Sequence, residues 1–237
     1  MPTINDILHF ADTHKTFTRK DLVGAFCKTG APGLLSEQLS RLLKSEQLIH
    51  LSRGLYALPG DARKDFHIVC SPEIKRINQQ IQTQYPFVNY CVWSSAAILP
   101  YMHHIPSLRF LLVDVEREAA MSIFNYLQSH SQKRVFFRPS SNDFDRYIIE
   151  NDAIIVRMLG SEAPLQKTDG MHTPSIEKIL VDIVDDIEFS FLQGSEIHQV
   201  YSEIFDKHKV NEKRLLRYAA RRGRKQEVIQ LLKINML

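Results

Sequence analysis

The sequence predicts an α+β (mixed α/β) protein, and three observations lead there. Over the first 60 residues apolar side chains recur at helical spacing until about residue 45. They then change to a period near two, with Leu48-Ile49-His50-Leu51 and Leu55-Tyr56-Ala57-Leu58 flanking Ser52-Arg53-Gly54. From residue 72 onward strand-like apolar runs are interleaved with amphipathic helical stretches, and from about Ser195 only helical spacing remains. The expected organisation is therefore a helix, helix, hairpin unit over 1–60, a linker or first strand over 61–71, and a larger α/β domain over 72–237 that ends in helices.

In the first unit, Thr3 to His14 reads as a helix with Ile4, Ile7, Leu8 and Ala11 on one face and Thr3 as its cap. A second helix starts at Thr18, whose hydroxyl accepts from the Asp21 N–H, and Gly30 and Pro32 stop it. A third runs from about Gly33 or Leu34 to Ser45, burying Leu35, Leu39, Leu42 and Leu43. Its other face carries Ser36, Glu37, Ser40, Arg41 and Lys44. Two helices joined by a tight turn and followed by a β-hairpin make a winged helix-turn-helix, which sets its second helix in the DNA major groove. Arg53 at the wing tip is placed for a phosphate or minor-groove contact, and Gly54 permits a positive φ or close approach to the sugar-phosphate backbone.

The polar run PGDARKD, from Pro59 to Asp65, reads as the linker. Beyond it a strand is expected at Phe66 to Cys70, then a helix from Pro72 to about Gln84. A buried strand within Val88 to Met102 leads into a helix at SSAAILPYM. A strand follows at Arg109 to Val115, a helix at Glu116 to His130 and a strand at Arg134 to Arg138. Tyr147 to Leu159 reads as a strand pair, with YII and AIIVRML flanking a turn at Glu150-Asn151-Asp152. The next helix has Thr173 as cap, Pro174 at its first position and Glu177 near its third. Two further helices fill Ser195 to Ile234, with RRGRK at 221–225 between or within them.

A composition of 44% hydrophobic and 24% charged residues belongs to a soluble globular protein. No apolar run approaches the ~18 residues of a membrane span, and MPTINDILHF lacks the basic start and apolar core of a signal peptide, so no membrane role and a cytoplasmic location are expected. Cys27, Cys70 and Cys91 are scattered, without a metal-binding framework, and no cofactor or metal is expected. The net charge of +3 is uneven: +2 over 1–60, −7 over 61–206 and +8 over 207–237. The basic tail contains Lys213, Arg214, Arg217, Arg221, Arg222, Arg224 and Lys225. At helical spacing 214, 217, 221, 224 and 225 share a face, which is either a solvated helix surface or a second phosphate-contacting surface.

Enzyme readings find little support. Asp114 and Glu116 fall on one strand face, as the start of a Mg²⁺-dependent nuclease site requires, but no E-x-K follows on a neighbouring strand, and Glu177-Lys178 diverge as helix neighbours. His103 and His104 are adjacent, poor geometry for a metal, and nothing in the sequence brings Cys91 to a base. Trp93 beside Ser94 and Ser95 reads as core. Walker, GxGxxG and HExxH motifs are absent, which favours a binding protein with no catalytic residues.

The winged helix ending in LSRGLYAL, the later TPSIEKILVDIV and the closing LLRYAARRGRK resemble, in this order and spacing, the AbiEi-type antitoxins of type IV toxin–antitoxin (abortive infection) systems. The resemblance implies an autorepressor that binds inverted repeats upstream of its operon, and a carboxy-terminal domain that counteracts a nucleotidyltransferase toxin. Carried onto this chain, it makes Ser36, Ser40, Arg41 and Lys44 the DNA-reading positions of the second helix, with Arg53 and Gly54 on the wing. Glu37 departs from that pattern, as an acid facing a polyanion; it either accepts from a cytosine amino group or sits off the interface. The rival readings are a ligand-sensing regulator unrelated to a toxin, and the metal-dependent nuclease.

Overall fold

A computed structural model describes residues 3–26, 32–52, 54–61, 63–104, 106, 109–148, 152–192 and 194–234. The chain falls into two compact units, residues 1–64 and 65–237.

In the first unit α1 (Ile4–His14) is fixed by a capping box, in which the Thr3 hydroxyl accepts from Asp6 N and the Asp6 carboxylate accepts from Thr3 N at 2.7 Å. Thr18 and Asp21 repeat that box at the start of α2 (Arg19–Phe26), and the hydrogen bonds from Thr18 hold the Asp21 carboxyl below its usual range. The third helix is α3 (Pro32–Lys44), followed by β2 (Ile49–Ser52) and β3 (Leu55–Ala57). A strand absent from the sequence reading, β1 (Thr16–Thr18), pairs antiparallel with β3, so the wing is a three-stranded sheet of order β1-β3-β2. Its three residues are too few for an alternation to register. Leu35, Leu39 and Leu42 of α3 are buried against Ile7, Ala11, Phe17, Leu22 and Leu48. Three core leucines on one α3 stripe leave the opposite stripe to solvent.

The second unit is a three-layer sandwich. Its sheet has the order β4-β5-β7-β6, where β4 (Tyr90–Ser94) runs antiparallel to β5 (Phe110–Val115) while β5, β7 (Ala153–Met158) and β6 (Val135–Phe137) are parallel. On one face Tyr90, Val92, Leu111, Val113, Ile154 and Val156 pack on α4 (Pro72–Gln84) and α5 (Arg117–His130). On the other, Cys91, Trp93, Phe110, Leu112 and Ile155 pack on α7 (Ile176–Asp185), α8 (Ser195–Lys207), α9 (Glu212–Arg221) and α10 (Lys225–Ile234). Burial on both faces explains why these strands read as continuous apolar runs.

Several elements differ from the sequence reading. Phe66 to Cys70 forms no strand: Phe66 and Ile68 are buried while Val69 is 92% exposed. SSAAILPYM forms two 3₁₀ turns rather than a helix, with Pro100 inside the second, because proline cannot supply the N–H that a longer helix needs. The expected strand at YII is not formed at Tyr147 and Ile148, which close the π-helical turn Phe144–Ile148 that follows α6 (Ser141–Asp143, capped by Ser140), with Phe144 and Ile148 four apart and buried together. Ile149 to Asn151 lie outside the described residues.

Thr173 and Pro174 end a strand rather than begin a helix. They belong to β9 (Met171–Pro174), paired with β8 (Leu165–Thr168) across a two-residue Asp169-Gly170 loop with φ of +50° and +79°. Positive φ at both positions is the type I′ hairpin turn that Asp-Gly favours. The cap position of α7 passes to Ser175.

The tail holds three helices, not two. Gly223, at φ +71°, takes the left-handed position after α9. Its N–H donates to Ala220 O, and the Arg224 N–H donates to Ala219 O at 2.8 Å, which closes a Schellman motif. Arg224 and Lys225 therefore do not continue the α9 face on which Arg214, Arg217 and Arg221 lie.

Candidate functional site

The outward stripe of α3 follows from the inward one. Glu37, Ser40, Arg41 and Lys44 are exposed and Ser36 is half-buried. Arg41 Nη2 lies 2.7 Å from Glu37 Oε1 across one helical turn, with the two side chains 68% and 57% exposed. That contact gives Glu37 an intramolecular role, holding the Arg41 fork in place on the surface. A pair this exposed contributes only about 0.3–0.5 kcal/mol, so a phosphate or base edge displaces it at small cost. Among the described residues Lys44 has no acidic partner. At the wing, Gly54 sits at φ +81° with open space around it, a conformation that disfavours any side chain. Arg53, the wing-tip cation of the sequence reading, lies outside the described residues.

The basic residues of the tail separate into two groups. Lys213 and Lys225 are exposed, Arg217 and Arg221 both lean on Glu162, and Arg224 approaches Glu227 at 3.5 Å. Arg222 turns inward, and Arg214, itself exposed, reaches back to a buried acid. Arg214 Nη2 lies 2.8 Å from Glu177, a buried carboxylate that also receives the Asn211 N–H and the Ser175 hydroxyl. Arg222 is bound to Asp182 at 3.2 Å and Asp186 at 2.7 Å.

Arg222 thereby joins a charge cluster that the sequence reading did not find. The sheet register aligns Cys91, Asp114 and Arg157 across β4, β5 and β7, all facing α7. Arg157 Nε lies 2.7 Å from Asp114 Oδ1. Its terminal nitrogens reach Asp182 at 3.1 Å, Asp186 at 2.9 Å and Glu188 at 3.3 Å. Lys178, from one turn earlier on α7, lies 2.7 Å from Asp114 and 2.6 Å from Asp182, and Trp93 Nε1 donates to Asp114 at 2.9 Å. Gly160 leaves the room this needs, since a Cβ there would stand 2.8 Å from the Tyr218 hydroxyl oxygen. Burial alone would raise the Asp114 carboxyl, but Arg157 and Lys178 more than offset it and hold it far below the usual range. Asp186 behaves in the opposite way: burial, with the Asp182 charge beside it, pushes it up to about 6 despite Arg157 and Arg222.

These contacts bear on the enzyme readings. Both Asp114 oxygens are taken by the sheet arginine, Lys178 and Trp93, whereas Glu116 lies beyond the strand and accepts from the Asn89 side chain. Among the described residues no group of three or more His, Cys, Asp or Glu side chains is arranged to hold a metal ion. His104 Nδ1 lies 2.5 Å from Glu196, and burial pushes the Cys91 thiol well up, away from the nucleophilic thiolate. No helix among the described residues is long and apolar enough to cross a membrane.

Over residues 34–237 the chain matches the model of a family of unknown function, DUF6577. It belongs to that family. Within this DUF6577 protein, residues 5–59 also match the model of AbiEi antitoxin transcriptional regulators, so the unit built from α1, α2, α3 and the wing is of the AbiEi regulator type. That second match is to transcriptional regulators of the antitoxin kind and covers the first unit, whereas the family that spans residues 34–237 carries no described function. No curated protein matches the DUF6577 chain.

Proposed function

We propose that this protein represses its own operon by binding inverted repeats of operator DNA through the winged helix, and that residues 65–237 counteract a nucleotidyltransferase toxin. The observation that carries the reading is the AbiEi-type match over 5–59 on a unit whose third helix turns Ser40, Arg41 and Lys44 to solvent. In this reading α3 enters the major groove, with Ser36, Ser40, Arg41 and Lys44 toward the DNA and Arg53 and Gly54 along the backbone. Glu37 steers Arg41 until the duplex takes its place. The exposed tail cations Lys213, Arg217, Arg221 and Lys225 supply a second polyanion-facing surface, acting on DNA or in toxin neutralisation. The setting is the cytoplasm.

Two single variants separate these roles. Arg41→Ala and Arg53→Ala are expected to weaken operator binding, and each phosphate left without its cation lowers the log–log salt slope by about one. Toxin neutralisation by the same variants, measured as rescue of growth, should be unchanged. Loss of both activities together would show that the labour is not divided between the two units.

A further inference from the structure

At the carboxyl ends of β6 and β7 a cavity of about 380 Å³ opens beside the buried charge cluster, walled by Arg138, Arg157, Asp186, Glu188 and Arg222. We propose that it binds a small molecule through an oxyanion, a phosphoryl, sulfuryl or carboxylate group, which Arg138 and Arg222 receive in place of the Asp186 carboxylate.

Three features carry the inference. The position is where open sheets with parallel strands take ligands, at the carboxyl ends of the strands, and the volume lies within the ~300–1,000 Å³ of small-molecule pockets. The second feature is the donor inventory. Arg157 is saturated by four carboxylates, but Arg138 has no acidic partner among the described residues. The Arg138 N–H donates to Val156 O at 3.0 Å, which pins the root of its side chain to β7, and its φ of +46° is a left-handed conformation that a non-glycine residue adopts only against strain. The wall thus offers unused guanidinium donors on a backbone anchored to β7.

The third feature is Asp186. It accepts from Arg222 Nη2 at 2.7 Å and Arg157 Nη1 at 2.9 Å, and with a side chain 17% exposed it is the most accessible of the four acids on Arg157. Asp182 on α7 and Glu188 after it face it as like charges; Lys178 and Asp114 lie behind, already paired with each other. Four carboxylates meet Arg157, Lys178 and Arg222, so Asp186 is the acid in excess. An arriving anion competes with it for Arg222 and is repelled while it is ionised. Protonation of Asp186 releases Arg222 Nη2, while Nη1 stays on Asp182, so oxyanion binding strengthens as pH falls through about 6.

The test is an NMR titration of the full chain with sodium sulfate, which stays a dianion throughout, at pH 5.5 and 7.5 and at constant ionic strength set by chloride. Acetate and inorganic phosphate titrations identify which oxyanion fits. We expect saturable shifts at the amides of Arg138 and of residues 186–188, on the order of tenfold tighter at pH 5.5. Arg138→Ala, a substitution of an exposed side chain, should abolish saturation. Asp186→Asn should bind at both pH values as the native chain does at 5.5. Non-saturable shifts spread over the basic surface, equal affinity at the two pH values in the native chain, or unchanged binding in Arg138→Ala would each overturn the proposal.

Discussion

Glu46 shows how a single residue bears on the candidate interface. It follows α3 at φ +55°, its N–H donates to Leu43 O, and the next N–H, of Gln47, donates to Leu42 O at 2.9 Å, so a glutamate occupies the position that glycine fills in most Schellman endings. Glu46→Gly should therefore stabilise the first unit by about 0.5–1 kcal/mol: relief of the left-handed strain is partly offset by the freedom that glycine gains in the unfolded chain. Hydrogen exchange of the α3 amides measures it, and slower exchange is the expected result. Other features at this scale were legible. Thr3 and Thr18 announced their caps, and Leu35, Leu39 and Leu42 announced the buried stripe, because each depends on neighbours within one helical turn. The Glu37 and Arg41 contact was equally local, since residues four apart on a helix are neighbours. Reading the acid only against the DNA obscured it.

Among the elements, those with long apolar periods were found and those decided by a turn or by distant packing were missed. The Asp169-Gly170 pair was a visible hairpin signal, yet the Thr-Pro that follows looked like a helix start and masked β9. YII looked like strand because β-branched residues favour one, but the Ser140 cap and the buried pair of Phe144 and Ile148 commit it to helical turns. Gly223 sits inside the basic run RRGRK, where the charges on either side hide its role in ending α9. The charge cluster left one trace, an acid inside FLLVDV and an arginine inside AIIVRM, each isolated in a buried strand. Only the β5 to β7 register shows that they are partners, with Lys178 joining from α7. Because Lys178 shares Asp114 and Asp182 with Arg157, Lys178→Met should leave both buried carboxylates one partner short and destabilise the second unit by about 3–5 kcal/mol. The fluorescence of Trp93, whose ring lies 5.6 Å from the Lys178 ammonium, reports that unfolding in urea. A loss below about 1 kcal/mol would mean that the cluster adjusts without its lysine.

For the whole molecule, the uneven charge of the sequence resolves into two different uses. The cations of α3 point outward, and so do Lys213 and Lys225 of the tail, whereas Arg214 and Arg222 are spent on buried acids of their own unit. A count of charge along the chain thus overstates what the tail offers a partner, while Arg41 and Lys44 of α3 both stay exposed. The central claim, that this surface and the wing read operator DNA, is tested most directly by an anisotropy titration of the full chain against the duplex upstream of its own gene, beside a shuffled duplex, at about 50 and 200 mM salt. The account predicts tight binding to the upstream duplex that stays selective at the higher salt. Equal binding to both duplexes, lost together as salt rises, would contradict it.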